Sequence, residues 1–233
     1  MNIDRNLDDQ RVVDGMSAQG RRRADLLAGG ARSTGWKAGL GTAAAMEKVG
    51  TGAPVAGFLT DATRVADGGS AALDGWSAPT FEPELAIRVD VDVAADASLE
   101  DVVAAVGAIA PAIELVDLEP PDDLVAVLAG NVFHRAYLVG AWTPATADDV
   151  AAARLDVAVD REQRATEVDP AAALSDLLTV VRSVAAQAAL AGAGLRAGEL
   201  VITGSALPAI ALAGGETLTV TLTGRDRAVT ART

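Results

Sequence analysis

The spacing of apolar and polar residues predicts several helices. Residues 8–30 carry apolar side chains at helical intervals among Asp, Arg and Gln. Residues 98–110 form an amphipathic pattern that begins at a capping residue, Ser98. A long helix is predicted over 170–193, because Asp169-Pro170 is a typical helix start. Two shorter helices are predicted over 42–48 and 123–129.

Other stretches have the alternating or continuous apolar pattern of strands. These predicted strands cover residues 34–40, 56–59, 63–65, 81–93, 112–118, 135–142 and 153–159. A turn is predicted at 119–123, and three further strands are predicted between Leu195 and Thr233. The result is an α+β protein with a β-rich C-terminal half. We expect one domain over residues 1–233, in which an N-terminal extension, 1–75, packs on a core formed by 80–233.

Composition and charge narrow the classes of function. Half of the 233 residues are apolar, and the formal net charge is −13. Such an acidic chain is a poor partner for nucleic acid, whose binding depends on Lys and Arg. Cysteine is absent, which excludes disulfides, thiolate metal sites and a cysteine nucleophile. The polar start of the chain and the lack of a long uncharged apolar run predict a cytoplasmic protein without a membrane partner.

Three glutamates have the spacing and surroundings of a metal site. Glu82 and Glu84 flank Pro83 in a predicted strand, so their side chains point to the same face. Glu114 stands alone in a second apolar strand. Carboxylate oxygens suit Mg²⁺ or Mn²⁺, and three of them would leave coordination positions free for a substrate. The alternative is a solvated strand edge, on which an E-x-E pair has no special role.

Lys37 lies in an apolar, glycine-flanked segment, where a surface lysine is not expected. A partly buried lysine can act as an acid, a base or a carboxylate clamp. The alternative is a side chain that extends along apolar surface to reach water.

Four segments, taken in order, resemble the fumarylacetoacetate hydrolase superfamily, and within it the branch of 2-keto-4-pentenoate hydratases and 4-oxalocrotonate decarboxylases. These segments are GWKAGL (35–40), EPELAI (82–87), PAIELVD (111–117) and LRAGELVITGSA (195–206). Each motif alone is weakly specific, but the four together span most of the chain. The resemblance implies a mixed, rolled β-core with an N-terminal helical extension.

The resemblance also implies roles for individual residues. It places Glu82, Glu84 and Glu114 on the metal ligands for Mg²⁺ or Mn²⁺, and Lys37 beside the carboxylate and keto group of a small 2-oxo acid. The ion would chelate these groups and stabilise an enolate. Homo-oligomers are common in the family, so we expect one here. Further residues expected at the substrate are Leu40, Asn131, His134 and Ser205, although on local grounds Ser205 is better interpreted as a turn residue.

Two segments depart from the family pattern. Residues 129–134 keep Asn131, but Gly130, Phe133 and His134 replace the usual Asp and two Ser. His134, the only histidine, is interpreted either as a general acid or base or as a packing residue. The glycines usually found before the long helix are missing from 161–170. These departures put the standard substrate in doubt.

The preferred prediction is a metal-dependent hydratase or decarboxylase of a 2-oxo acid. One alternative is a hydrolase that cleaves a carbon–carbon bond of an acylpyruvate, with His134 activating water. A second alternative is a non-catalytic paralogue or partner subunit that keeps the fold. The first alternative requires His134 to lie within reach of a water at the ion.

Overall fold

The computed structural model describes residues 1–118, 123–174, 176–225 and 227–233. The helices are α1 (Ile3–Asp8), α2 (Gln10–Ala28), α3 (Ala43–Val49), α4 (Leu99–Ala105), α5 (Leu124–Ala129), α6 (Ala147–Ala152), α7 (Pro170–Leu174) and α8 (Leu177–Leu190). The strands are β1 (Ser33–Gly39), β2 (Val55–Thr60), β3 (Pro79–Val89), β4 (Val106–Asp117), β5 (His134–Val139), β6 (Thr143–Pro144), β7 (Leu155–Val159), β8 (Glu162–Val168), β9 (Leu200–Ile202), β10 (Ile210–Ala211), β11 (Thr217–Leu222) and β12 (Arg227–Arg232).

These strands form two sheets. The larger, eight-stranded sheet has the order β2-β1-β9-β3-β4-β5, with β10 beside β3 and β6 beside β4. Because β1 and β9 run parallel whereas β3 and β4 run antiparallel, the sheet is mixed. The smaller sheet has the order β12-β11-β7-β8, and its first two strands contact β4. This curled, mixed arrangement confirms the predicted α+β class and rolled core.

The long antiparallel pair β3 and β4 forms the centre of the larger sheet. Its register places Glu82 opposite Glu114 and Ile87 opposite Ile109. From Ala108 onward, every residue of β4 is buried, which explains its nearly continuous apolar sequence. Two carboxylates of the predicted metal site are therefore fixed by the register of one strand pair.

Four buried amide side chains cover the edge strand β2. Gln19 and Gln187 hydrogen-bond the oxygen and the nitrogen of Ala56, at 3.0 Å and 3.2 Å. Asn131 hydrogen-bonds both backbone groups of Phe58, and Asn6 donates to the oxygen of Ala53 at the strand entrance. Since an uncovered strand edge leaves its backbone groups unpaired, these amides take the place of a neighbouring strand.

Several element boundaries differ from the predictions. The helix predicted over 98–110 starts at the Ser98 cap as expected but ends at Ala105. The following apolar residues enter β4, because short apolar runs do not distinguish a buried strand from a helix. Residues 63–65 were predicted as a strand, whereas Asp61–Thr63 forms a 3-10 turn. Strands β8 and β12 were not predicted, because their charged residues obscure the apolar pattern of a strand.

The helix predicted over 170–193 is divided into α7 and α8. Asp176 caps α8 by accepting hydrogen bonds from the nitrogens of Leu178 and Thr179, so a second helix start lies within the predicted span. The helix predicted over 8–30 corresponds to α2, and a separate short helix, α1, precedes it. Residues 119–122 of the predicted turn lie outside the described residues.

The N-terminal region contributes both packing helices and strands of the larger sheet. Helices α1 and α2 pack on α8, whereas β1 and β2 lie in the same sheet as β3. The predicted extension, 1–75, therefore supplies two strands of the larger sheet in addition to helices. Within the described ranges, no helix combines the length and apolar character needed to cross a membrane.

Gly35 allows β1 and β9 to lie side by side. Its φ is +147°, and a Cβ atom there would lie 2.0 Å from the carbonyl oxygen of Leu200. We expect Gly35→Ala to lower the free energy of unfolding by about 3 kcal/mol, since it combines backbone strain with a steric clash. Urea unfolding measures this. The control is Gly68→Ala, where φ is +75° but the surroundings are open, with an expected loss of about 1 kcal/mol. Equal losses would contradict the steric explanation.

Candidate metal centre

The three predicted glutamates converge on one face of the β3–β4 pair. Glu82 and Glu84 project from β3, and Glu114 projects from β4 directly opposite Glu82. One carboxylate oxygen from each residue lies within 4.8 Å of the others. Glu84 and Glu114 are fully buried, and Glu82 is partly exposed. The cluster is therefore not a solvated strand edge.

Lys37 lies in the interior beside this cluster. Its Nζ is 2.7 Å from Oε1 of Glu114 and donates a hydrogen bond of 2.9 Å to the oxygen of Val132. Gly57 faces Lys37 across β1 and β2, and a Cβ atom at Gly57 would lie 2.9 Å from Cγ of the lysine. The glycine therefore makes room for the side chain. The ammonium group is held inside the protein, so Lys37 does not extend to water.

His134 also contacts Glu114. Its Nδ1 is 2.6 Å from Oε1 of Glu114, and its Nε2 is 2.9 Å from the hydroxyl oxygen of Thr63. Burial lowers the pKa of His134, although the neighbouring Glu114 opposes this shift. A neutral ring that donates from Nδ1 to the carboxylate has its acceptor nitrogen, Nε2, beside the threonine hydroxyl. Both ring nitrogens are thus engaged within the protein.

The two oxygens of Glu114 have different surroundings. Oε1 accepts from both Lys37 and His134. Within the described ranges, Oε2 is buried without a hydrogen-bond partner, and so is Oε1 of Glu84. The other oxygen of Glu84 accepts from the backbone nitrogen of Gly204 at 2.6 Å. Buried oxygens without partners are unfavourable, and a hard divalent cation bound by these carboxylates would satisfy them. The residues present therefore fit a metal ion.

The pKa values of the three carboxyl groups point to the same need for positive charge. Burial and the charge of Glu114 raise the pKa of Glu82 to about 7 and that of Glu84 well above its usual value. Burial also acts on Glu114, but Lys37 and His134 together lower its pKa. Glu114 is thus the most readily ionised member, and a further cation beside the cluster would favour the ionised forms of the other two.

A cavity of about 480 Å³ opens beside the cluster. Among the three glutamates, Glu82 lines it, and the predicted substrate residues Leu40 and Ser205 line it too. The hydroxyl of Ser205 donates to the oxygen of Leu207 at 2.7 Å, so the residue both forms a turn and faces the cavity. Between β9 and β10 the chain stays beside β3, because the nitrogens of Thr203 and Ala206 donate to the oxygens of Leu85 and Pro83 at 3.1 Å and 2.9 Å.

Asn131 and His134 do not line the cavity. Asn131 uses its amide on the backbone of Phe58, and it begins a turn in which φ is 68°, 53° and 63° at Asn131, Val132 and Phe133. Left-handed conformations are unfavourable for Val and Phe. The turn directs the oxygen of Val132 at Lys37. Its strain is thus located where the lysine is held.

Sequence reasoning missed three contributors to the centre: Thr63, the oxygen of Val132 and the nitrogen of Gly204. Two of them are backbone atoms, which leave no side-chain signal. Thr63 was assigned to a strand, which separated it from His134.

Comparisons with known proteins agree with this geometry. The sequence model of the family described as fumarylacetoacetate (FAA) hydrolase C-terminal matches residues 36–230. A 4-oxalocrotonate decarboxylase from a Pseudomonas species is 32% identical over 192 residues, which cover 80% of this chain and 73% of that protein. A 2-keto-4-pentenoate hydratase from Paraburkholderia xenovorans is 27% identical and is matched over 91% of this chain and 79% of its own.

A solved structure has a closely similar fold. It is the 4-oxalocrotonate decarboxylase from Pseudomonas putida G7, complexed with magnesium and adipate. The two chains superpose with a TM-score of 0.82 at 27% identity, and the match covers 95% of this chain and 85% of that one.

Metal binding by this cluster should depend on pH. A cation must displace protons from Glu82 and Glu84, so we expect the affinity for Mn²⁺ to rise about tenfold per pH unit or more below about pH 7. Calorimetry at pH 6, 7 and 8, in two buffers of different ionisation enthalpy, measures both affinity and proton release. Glu84→Gln should abolish binding, and Glu100→Gln, an exposed change on α4, should not. Affinity that does not change with pH would contradict the assignment.

Proposed function

Because the chain belongs to the fumarylacetoacetate hydrolase family, we propose that it is a divalent-metal-dependent lyase that hydrates or decarboxylates a small 2-oxo acid. The observation that carries the proposal is the convergence of Glu82, Glu84 and Glu114 beside Lys37, with Glu82 lining a cavity. The reaction class of the relatives supports it. Mg²⁺ or Mn²⁺ is the proposed ion, since all three ligand groups are carboxylates.

In the proposed centre, the three glutamates would bind the ion, and Lys37 supplies a further positive charge. A bound divalent ion supplies positive charge to the carboxylate and 2-oxo oxygens of the substrate as negative charge develops there. Lys37 keeps Glu114 ionised and adds a second positive charge beside the carboxylate cluster. Water then adds across a conjugated double bond in hydration, or a carboxyl group leaves as CO₂ and a proton replaces it.

His134 is best interpreted as a positioning residue. It holds Oε1 of Glu114, which leaves Oε2 free to face an ion. Hydrogen bonds to metal-binding groups commonly fix their orientation in this way. Hydrolysis of an acylpyruvate with His134 as the base is less well supported, because neither ring nitrogen is directed at the cavity.

A non-catalytic role is also less well supported. Buried carboxylates with unpaired oxygens destabilise a protein unless they serve a ligand, and two such oxygens are present here, on Glu84 and Glu114. Asn131 supports the strained turn beside Lys37 in this proposal and does not contact the substrate. Assembly into homo-oligomers and a cytoplasmic location stay predictions.

The reaction class can be tested directly with chelator-treated protein. We expect activity on an unsaturated 2-oxo acid to appear when Mg²⁺ or Mn²⁺ is added, measured as loss of the conjugated absorbance or release of CO₂. Glu84→Gln should lower kcat/KM by at least about a hundredfold, because the ion loses a ligand. Glu100→Gln should retain full activity. Saturable metal binding with no turnover of any 2-oxo acid would favour the non-catalytic paralogue.

The positioning role of His134 predicts a graded response. His134→Asn can still donate to Glu114, so we expect Mn²⁺ affinity within about threefold of the parent. His134→Leu removes the donor and should weaken Mn²⁺ binding about 10–100-fold. Calorimetry measures both affinities, and activity at saturating metal gives the residual effect. If His134→Leu binds Mn²⁺ normally but loses activity, His134 acts on the substrate and the positioning role is wrong.

A further inference from the structure

The cavity beside Glu82 has a wall of hydrocarbon. Its larger side chains are Leu40, Leu118, Leu174 and Leu207, and most of the remaining wall consists of alanines, glycines and one proline. Helix α7 and residues 203–209 form one side, and the segment from β1 to α3 forms the other. Charge is therefore concentrated at one end of the cavity, where Glu82 meets the metal centre.

Of the two hydroxyl groups in the wall, that of Ser205 donates its proton within the protein, whereas that of Thr42 accepts a hydrogen bond and keeps its own proton. Thr42 caps α3 by accepting from the nitrogen of Ala45 at 3.2 Å, and Ser205 donates to the oxygen of Leu207 at 2.7 Å. Among the described residues, the wall contains no Lys, Arg or His. The undescribed positions, 119–122, 175 and 226, are Glu, Pro, Ser or Asp in the sequence. Lys37, the nearest buried cation, is committed to Glu114 and Val132.

From these observations we infer that the cavity accepts an uncharged hydrocarbon tail, so that the substrate is a 2-oxo acid with a single carboxylate. This inference rests on the proposed function, which places the carboxylate and the 2-oxo group at the glutamate end. A second carboxylate placed against the leucines would lose hydration without gaining a positively charged partner among the described residues. A methyl or vinyl group there would instead be removed from water against the leucines, which is favourable.

The inference also selects between the two reactions. When the 1-carboxylate is held at the metal centre, decarboxylation requires a second carboxylate as the leaving group. A substrate with one carboxylate has no such group. Addition of water needs only a double bond conjugated with the ketone: the hydroxyl group bonds to one carbon of the double bond, and a proton bonds to the other. The single-carboxylate substrate therefore implies a hydratase.

A chain-length-matched pair of acids tests this on Mn²⁺-loaded protein. 2-Oxohexanoate and 2-oxoadipate both have six carbons and differ only in the terminal group. We expect calorimetry to show that 2-oxohexanoate binds at least about tenfold more tightly than 2-oxoadipate. The terminal carboxylate of 2-oxoadipate would lie in the cavity without a positively charged partner. Pyruvate, which lacks a tail, serves as the common reference for binding at the metal end.

Helix α3 offers a matched pair of variants. Ala45 faces the cavity and is half-buried, whereas Ala44, its neighbour, is exposed and outside the wall. Ala45→Lys should bring a positive charge to the tail and reduce the preference for 2-oxohexanoate about tenfold or more. Ala44→Lys makes the same change in net charge and should leave the preference unaltered.

The outcomes separate this inference from the proposed function. Tight binding of pyruvate with equal or tighter binding of 2-oxoadipate would overturn the inference and leave the lyase intact. Release of CO₂ from an unsaturated dicarboxylic 2-oxo acid would do the same, because the apolar wall would then serve to desolvate the departing carboxylate. If no 2-oxo acid binds in the presence of Mn²⁺, both proposals fail.

Discussion

The buried ion pair between Lys37 and Glu114 is the interaction on which the rest of the centre depends. Three carboxylates lie together on the β3–β4 pair, and one lysine accompanies them. One lysine serves three carboxyl groups, and burial, together with the charge of Glu114, raises the pKa of both Glu82 and Glu84. A folded chain that keeps such an imbalance stores an electrostatic cost, which a divalent cation removes on binding. The carboxylate cluster of the folded protein is therefore arranged to attract a cation before any ion is bound.

The support for Lys37 comes from an unusual edge of the sheet. Strand β2 has buried amides where another strand would lie, and Asn131 is the one beside the centre. The same residue starts the left-handed turn whose carbonyl, at Val132, accepts from Lys37. The strain of that turn is tolerated because both ends of the Asn131 amide are fixed to Phe58. Asn131 therefore both covers the edge of β2 and supports the turn that orients Lys37. It contributes to the centre in this way although it does not line the cavity.

The sequence predicted the metal centre better than it predicted the residues around it. Side-chain alternation in a strand is a local rule, so Glu82 and Glu84 could be placed on one face. The apolar setting of Lys37 indicated a buried side chain, which its contact with Glu114 bears out, whereas its expected place beside a substrate came from the family resemblance. Asn131 and His134 were expected at the substrate, but neither lines the cavity. A family motif gives the position of a residue in the chain and not the direction of its side chain. That direction depends on the turn at 131–133 and on Thr63, whose 3-10 turn resembles a strand in sequence.

The two segments that depart from the family pattern affect different parts of the site. In the first, His134 holds the oxygen of Glu114 that Lys37 also holds, so this replacement acts on the orientation of Glu114 and leaves the cluster of three glutamates in place. In the second, residues 162–168 form β8, which pairs with β7 in the smaller sheet, and only the following helix, α7, reaches the cavity. Leu174 of that helix forms part of the hydrocarbon wall. The three glutamates are therefore kept, whereas the second departing segment leads into a helix that forms part of the apolar wall, so in the proposed function it bears on the substrate's tail and not on the metal ligands.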